Sequence, residues 1–284
     1  MSMNYIKLMY ITNSPEIALI IEQNGVERIF VDMEVIGKEE RQGGMDTVQS
    51  HHTFDDIKAI KSVITKSELM VRCNPIHPEM DGYCSSQNEI DKIIECGADI
   101  VMLPYFKTAK EVRDFVQMVA GRAKTIALLE TKEAVEHVDE ILKTDGLDEI
   151  YIGLNDLSLS YGKKFMFELL ADGTVEKLCE KFRTSGIPYG FGGMASVDKG
   201  LLLGENVIKE HYRLNSSMVI LSRSFCDANK ENSLETIKEK FKSGIKAIRN
   251  VELKCHRNIH DSDYFAKNKE EIKEKVNEIV SYIR

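Results

Sequence analysis

Hydrophobic positions along the chain form short apolar runs that alternate with amphipathic stripes. Several of the runs, such as IFVDM, IVMLP and TIALL, are apolar without alternation, which is typical of strands buried on both faces of a parallel sheet. We predict eight strands, at residues 6–12, 28–34, 69–74, 100–104, 125–131, 149–156, 188–193 and 217–224.

Helical patterns fill the intervals between these runs. Thr108 to Glu111 and Ser86 to Glu89 have the S/T-x-x-E spacing of a capping box, and a helical stripe of Val112, Phe115 and Val119 follows the first of them. Eight βα units predict a (β/α)8 TIM barrel in one domain over residues 1–230. A doubly wound open sheet is the alternative, since the number of strands does not prove closure.

The chain changes character after the eighth run. ENSLETIKEKFKSGIKAIRN and FAKNKEEIKEKVNEIVSYIR read as two amphipathic helices, and the polar segment KCHRNIHDSDY joins them. We therefore assign residues 231–284 to extra C-terminal helices, which pack either on the barrel or on a neighbouring subunit.

Composition excludes several classes of protein. The net charge of -8 and the lack of a basic stripe argue against nucleic acid as a partner. No apolar run approaches the roughly 20 residues of a membrane span, and the N-terminal residues lack the apolar stretch of a signal peptide, so we expect a cytoplasmic protein without a membrane partner. The six cysteines form no CxxC pair and are expected to be reduced and mostly buried.

Two carboxylates stand out at the ends of successive runs. Glu130 follows the apolar residues TIALL, and Asp156 ends the next run. Because the carboxyl ends of the strands converge at one mouth of a barrel, the pair is able to hold a hard divalent ion, Mg²⁺ or Mn²⁺, with room left for waters and a substrate. The alternative is structural: Asp156 caps a turn and Glu130 pairs with a lysine.

Arg72 lies near the end of the third run, and its planar guanidinium is suited to bind a substrate carboxylate. A salt bridge to Asp32 or Glu34 is the alternative, and the two roles are compatible. Gly153 and Asn155 lie just before Asp156, and we predict that they contact the substrate too.

The seventh run ends with glycines at residues 190, 192 and 193, and the eighth ends with Ser222, Arg223 and Ser224, where many barrels bind a phosphate group. Arg223 is thus a predicted substrate-binding residue. The glycines alternatively only relieve crowding.

His52 precedes Thr53, a predicted helix N-cap, and is the predicted acid/base group unless it is simply a loop histidine. No lysine occurs in the fifth or sixth run, so a Schiff-base mechanism lacks an obvious nucleophile and metal-assisted chemistry is favoured.

The residues VDME, VRCNP, GADIVMLPYFKTAKEV and LLETKEAVEHVDEILKTDGLDEIYIGLNDLSLSYG together resemble the HpcH/HpaI aldolase and citrate lyase family, in consistent order from about Tyr10 to Phe225. The resemblance implies a barrel that binds a divalent metal and makes or breaks a carbon–carbon bond next to a 2-oxo acid or a thioester. It implies metal ligation by Glu130 and Asp156, and contact of Arg72 with the substrate carboxylate and oxo group.

The chain departs from the class II pyruvate aldolases of that family. Val35 stands where they have an acid/base histidine, Leu128 stands where they have a glutamine, and the loop at residues 36–52 is longer. His52 or a metal-bound water is the expected replacement for the histidine.

The leading hypothesis is an aldolase that cleaves or forms a 4-hydroxy-2-oxo acid from pyruvate and an aldehyde. A citramalyl- or malyl-CoA-type lyase and a non-catalytic barrel that binds a 2-oxo acid or a phosphosugar are the alternatives. The resemblance also implies a homo-oligomer.

Overall fold

The computed structural model describes residues 5–38, 50–231 and 233–283, and its centre is a parallel sheet closed into a barrel. The strands are β1 (Lys7–Ile11), β2 (Arg28–Asp32), β3 (Glu68–Arg72), β4 (Ile100–Leu103), β5 (Lys124–Leu129), β6 (Glu149–Ile152), β7 (Tyr189–Phe191) and β8 (Met218–Leu221). The helices are α1 (Pro15–Gln23), α2 (Phe54–Lys61), α3 (Ser86–Glu95), α4 (Ala109–Val119), α5 (Lys132–Glu136), α6 (Val138–Ile141), α7 (Leu154–Ser160), α8 (Glu168–Ala171), α9 (Thr174–Ser185), α10 (Gly204–Arg213), α11 (Leu234–Arg257) and α12 (Ser262–Tyr282).

The barrel closes because β1 pairs in parallel with β8 as well as with β2. Lys7 lies opposite Met218, and Tyr10 lies opposite Leu221. All eight predicted strands are present in the predicted order, so the (β/α)8 barrel is confirmed and the doubly wound alternative is wrong.

The sixth predicted strand was too long. β6 ends at Ile152, and Asp156 lies in the first turn of α7, because Gly153 turns the chain directly into that helix. Asp156 therefore reaches the mouth of the barrel from a helix rather than from a strand end.

Helix capping agrees with the sequence pattern at one site and differs at another. Thr108 and Glu111 form the predicted capping box at the start of α4. At α3 the N-cap is Ser85, one residue before the predicted Ser86. Glu89 is therefore not at the N3 position of this helix, and its carboxylate accepts hydrogen bonds from the amide and the side chain of Asn74, which follows β3.

The barrel interior is apolar in the middle and charged at its N-terminal end. At that end the buried Arg28 donates to Glu149 at 2.5 and 2.6 Å and to Glu68 at 2.9 Å. Lys124 is the first residue of β5, one position before the predicted start, and pairs with Glu68 at the same end. β5 therefore contains a lysine that the predicted bounds left out, and this lysine lies at the end opposite the mouth.

Both C-terminal helices pack on the barrel of their own chain. α11 contacts α1 and α10, and α12 contacts α8 and α10. Phe241 of α11 packs edge to face on Tyr10 of β1, with ring centroids 4.9 Å apart. The connection spans only residues 258–261, because the flanking polar residues of KCHRNIHDSDY continue the two helices. The domain division at residue 230 and the homo-oligomer stay predictions.

All six cysteines are free thiols, and four are buried, as expected. Across the described ranges, none of the helices combines the length and the apolar character needed to cross a bilayer.

Candidate active site

A cavity of about 420 Å³ opens at the C-terminal end of the barrel, between the ends of seven of its eight strands. Its polar lining includes Arg72, Glu130, Asn155, Asp156 and Arg223. Six of the seven predicted site residues therefore meet at one cavity, these five and Gly153.

The cavity floor belongs to the barrel interior. Phe30, Leu128 and Tyr151 are buried there and also line the cavity. The Tyr151 hydroxyl donates to the Gly192 carbonyl at 2.7 Å and accepts from the Ile220 amide at 3.0 Å. This buried tyrosine ties β6 to the ends of β7 and β8, so the floor is rigid, and burial raises its pKa far above the ordinary value.

Glu130 and Asp156 are the carboxylates that the described residues contribute to the cavity lining. Both are buried, at 3% and 8% exposure. Glu130 Oε1 accepts from the amide of Tyr105 at 3.0 Å, and Asp156 Oδ1 accepts from Asn155 Nδ2 at 3.1 Å. A hydrogen bond therefore orients each carboxylate.

Gly153 makes room for Glu130. A Cβ at this position would lie 2.8 Å from Glu130 Oε2 and 3.0 Å from Glu130 Cβ. Because Gly153 has no side chain, the Glu130 carboxylate is able to lie close to the start of α7.

The donor set fits a hard divalent cation. Two buried carboxylates on one cavity wall supply the oxygen ligands that Mg²⁺ and Mn²⁺ prefer, and Mg²⁺ commonly keeps several waters beside one or two carboxylates. Within the described ranges, no third His, Cys, Asp or Glu completes a metal-ligating group. Glu130 and Asp156 are thus able to hold an ion that keeps open positions for a substrate.

Arg72 lies at the cavity edge within an ion-pair network. The salt bridge that was predicted as its alternative role is therefore present. Nε and Nη2 each donate to Asp32 at 2.8 Å, and Nη1 lies 3.2 Å from Glu34 Oε2. Burial alone would lower the pKa of Arg72, but Asp32 and Glu34 outweigh it and raise the pKa above its usual value. Arg72 is a permanent, oriented cation that still lines the cavity.

The sequence patterns did not reveal Lys38. Its Nζ lies 2.8 Å from Asp32 Oδ2 and 3.7 Å from Glu34 Oε2, and its side chain is only 5% exposed. The only signal in the sequence was a lysine six residues after the aspartate that ends β2. Residues 39–49, which belong to the predicted loop at residues 36–52, lie outside the described residues.

His52 lies beside the network and is not among the residues that line the cavity. The amide of Asp32 donates to its Nδ1 at 3.0 Å, so the neutral ring carries its proton on Nε2. Burial lowers the pKa of His52, against the opposing charges of Asp32 and Asp56. Thr53 caps α2 as predicted. The acid/base role of His52 stays a prediction.

Gly192 and Gly193 line the cavity beside Ser222 and Arg223, so the ends of β7 and β8 do meet there. Gly192 has a φ of +82°, a conformation that favours glycine. Arg223 is exposed at the cavity edge.

This closed barrel with carboxylates and an arginine at its C-terminal mouth is the architecture of a barrel enzyme. Residues 8–170, more than half of the chain, match the HpcH/HpaI aldolase/citrate lyase family. The chain belongs to this family.

Curated relatives match over parts of their length. A hydroxypyruvate/pyruvate aldolase of Sagittula stellata is 31% identical over 103 residues, covering 26% of this chain and 41% of the relative. One of Roseovarius nubinhibens is 21% identical over 174 residues, covering 50% of this chain and 66% of the relative. One of Rhizorhabdus wittichii is 49% identical over 37 residues, covering 13% of this chain and 15% of the relative. The chain thus spans less than two thirds of each relative.

Solved structures share the fold at low identity. An HpcH/HpaI aldolase from Desulfitobacterium hafniense superposes with a TM-score of 0.57 at 16% identity, covering 87% of this chain and 93% of that chain. An HpcH/HpaI aldolase/citrate lyase family protein from Burkholderia cenocepacia gives 0.59 at 14% identity, covering 83% and 95%. At these identities the likeness concerns the fold alone.

Proposed function

We propose that this protein is a divalent-metal-dependent carbon–carbon lyase that cleaves or forms a 4-hydroxy-2-oxo acid from pyruvate and an aldehyde. The observation that carries the proposal is the convergence of Glu130, Asp156 and Arg72 on one cavity. The hydroxypyruvate/pyruvate aldolase names of the curated relatives support the same reaction class.

Glu130 and Asp156 are the proposed ligands of Mg²⁺ or Mn²⁺. When bound, the ion supplies Lewis-acid stabilisation of the negative charge that develops on the substrate oxygen. Arg72 is the proposed partner of the 2-oxo acid carboxylate, because Asp32 fixes its guanidinium while Nη1 and Nη2 each retain a second N–H for further hydrogen bonds.

In the cleavage direction the C3–C4 bond of the substrate breaks, and its electron pair forms the C2=C3 bond of the pyruvate enolate. The hydroxyl proton at C4 passes to a water in the open cavity as the aldehyde carbonyl forms, and C3 of the enolate then takes up a proton to give pyruvate. Asp32 is a poor acceptor for this proton, because Arg72, Lys38 and the Glu34 amide together donate four hydrogen bonds to it. Such a carboxylate has about four acceptor positions in total.

The aldehyde half of the substrate is proposed to extend across the mouth toward β8. Tyr10, Phe30 and Met166 provide an apolar wall, and Arg223 lies at the edge. β6 and β8 are two strand spacings apart, about 10 Å along the barrel, which suits a short aldehyde with an anionic group at its far end. Arg223 then pairs with that phosphate or carboxylate.

Proton exchange at the methyl group of pyruvate tests the core of the proposal, because exchange requires the enolate but no aldehyde. We expect exchange in D₂O, followed by NMR, to stop after EDTA treatment and to return with Mg²⁺ or Mn²⁺. Glu130→Gln should abolish it. Glu133→Gln is the matched control, since Glu133 is an exposed carboxylate that pairs with Lys107.

Exchange that persists in Glu130→Gln or without metal contradicts the proposal, as does its absence from metal-loaded protein. Calorimetry with coenzyme A separates the thioester lyase: tight binding would point to an acyl-CoA substrate instead of a free 2-oxo acid.

A further inference from the structure

Tyr105 adopts a left-handed backbone conformation, with a φ of +48°. A bulky residue rarely has a positive φ, because its Cβ then crowds the backbone carbonyl oxygen. Ala120 and Asn215 are the other such non-glycine residues in the described ranges, and both have local explanations. Ala120 is the C-cap of α4, where left-handed residues are common, and asparagine tolerates this conformation. Tyr105 has neither explanation.

The turn at Tyr105 connects the end of β4 to Glu130. β4 ends at Leu103, and Pro104, which has no N–H, follows it. The amide of Tyr105 then donates to Glu130 Oε1 at 3.0 Å. Glu130 comes directly after β5, the strand that pairs with β4, so this hydrogen bond joins two neighbouring strand ends.

Phe106 anchors the same turn. Its side chain is 1% exposed in the hydrophobic core, and its carbonyl accepts from the Thr131 hydroxyl at 2.8 Å. Because Thr131 follows Glu130 directly, two hydrogen bonds of opposite direction connect residues 105–106 to residues 130–131. The positive φ reverses the chain, so that the Tyr105 amide faces Glu130 while the Phe106 side chain packs in the core.

The strain at Tyr105 persists because its surroundings fix the turn. Residues held in sparsely populated conformations cost free energy and cluster at functional sites, where the strain serves pre-organisation. Glu130 is 3% exposed, and its Oε2 lies so close to Gly153 that a Cβ on that glycine would be only 2.8 Å away. The Glu130 carboxylate is therefore confined between the Tyr105 amide and the start of α7.

We propose that the Tyr105 backbone is a positioning group for Glu130: the strained turn directs its N–H at the carboxylate and so orients this metal ligand before the ion binds. The amide acts in this role, not the phenol ring. This inference rests on the proposed function, since it requires that Glu130 binds Mg²⁺ or Mn²⁺. Loss of a hydrogen bond that orients a metal ligand typically lowers metal affinity by about 10- to 100-fold.

Replacing the Tyr105 amide by an ester tests the hydrogen bond directly. Incorporation of p-hydroxyphenyllactic acid at this position exchanges the N–H for an oxygen and keeps the side chain. We expect Mn²⁺ affinity, measured by calorimetry, to fall by about tenfold or more. The same ester at Tyr83 is the matched control and should bind Mn²⁺ like wild type, because the Tyr83 amide donates to the Met80 carbonyl at 3.0 Å, outside the cavity lining.

Tyr105→Gly separates the amide from the ring. Glycine keeps the N–H and adopts a positive φ without strain. We therefore expect this variant to bind Mn²⁺ close to the wild-type level, although it lacks the whole side chain.

Thr131→Val tests the same turn without the ester and decides the question if the ester protein does not fold. It removes the hydroxyl that holds Phe106 and should weaken Mn²⁺ binding, whereas Thr131→Ser keeps the hydroxyl and should not. Thr131 also caps α5, so Thr108→Val, which removes the equivalent cap of α4 outside the cavity lining, is the control for lost stability. Equal Mn²⁺ affinities of Thr131→Val and Thr108→Val would overturn the inference.

The remaining outcomes are distinct. If wild-type protein binds Mn²⁺ and the ester at Tyr105 binds it equally well, the inference is overturned alone. The same holds if Tyr105→Gly loses as much affinity as the ester, because the ring would then be the cause. If wild-type protein binds no Mn²⁺, the proposed function fails and the inference fails with it.

Discussion

The guanidinium of Arg72 lies along the carboxylate of Asp32, with Nε 2.8 Å from Oδ1 and Nη2 2.8 Å from Oδ2. The two residues are opposite each other at the ends of β2 and β3, so the barrel register itself creates the pair. The guanidinium of Arg72 is therefore oriented at the cavity before any substrate binds.

Arg72→Lys should therefore be far from conservative. A lysine keeps the charge but cannot make the planar two-point contact with Asp32. We expect kcat/KM for 4-hydroxy-2-oxo acid cleavage to fall by about 100-fold, the size of effect seen when a donor to a developing oxyanion is lost. Steady-state kinetics check this, and activity within a few-fold of wild type would rule out a role for the fork.

Gly153→Ala should weaken metal binding through Glu130. The new Cβ would lie 2.8 Å from Glu130 Oε2, so the carboxylate has to move. We expect Mn²⁺ affinity, measured by calorimetry, to fall by about tenfold or more. Gly193→Ala is the control, because its Cβ would meet Ser222 only at an ordinary 3.7 Å. Equal Mn²⁺ affinities in the two variants would contradict the proposed ligand role of Glu130.

Arg223→Met should change the preference for aldehydes. We expect KM for an aldehyde with a terminal phosphate or carboxylate to rise about tenfold or more, with little change for a neutral aldehyde of equal length. Synthesis of the 4-hydroxy-2-oxo acid from pyruvate and each aldehyde provides the comparison. A similar rise of KM for both aldehydes would show that Arg223 does not distinguish anionic aldehydes from neutral ones.

His52→Gln tests the predicted acid/base role directly. The ring does not line the cavity, and its Nδ1 already accepts from the Asp32 amide at 3.0 Å. We therefore expect kcat to fall less than tenfold, whereas loss of a general acid or base commonly costs about 100-fold or more. A loss of that size, together with the disappearance of one limb of the pH profile and an unchanged Tm, would establish His52 as the proton-transfer group.

His211 should make stability depend on pH. It is fully buried and stacked on Phe191 with ring centroids 3.9 Å apart, and burial lowers its pKa to about 3. The unfolded chain takes up a proton near the ordinary pKa of about 6.5. The folded protein does not take up this proton. The stabilising contribution of neutral His211 is therefore fully present above pH 6.5 and is lost as the pH falls toward 3.

Urea unfolding at pH 7.5 and 5.5 measures this effect. From pH 7.5 to pH 5.5 the free energy of unfolding of wild-type protein should fall by about 1 kcal/mol because of His211. The His211→Phe variant should lose less over the same interval. His137→Gln, at an exposed histidine, should behave like wild type. An equal loss in all three proteins would show that other groups dominate.

The amino-acid sequence predicted the strands and helices of the barrel, and the pairing of β1 with β8 decided its closure. Strands buried on both faces read as continuous apolar runs, and all eight recur in order with helices between them. It also indicated Arg72, Glu130 and Asp156 as residues of one site, because the carboxyl ends of parallel strands must meet at one mouth.

Only the tertiary structure decided how these groups are paired. Whether Lys38 bends back onto Asp32 depends on a turn held by Asn74, 36 positions further along the chain than Lys38, and no local pattern encodes such a contact. For the same reason Glu89 resembled a helix cap but binds Asn74 instead. Hydrophobic periodicity is a local property of the chain, whereas the balance of buried charges is fixed only when distant segments share one low-dielectric space.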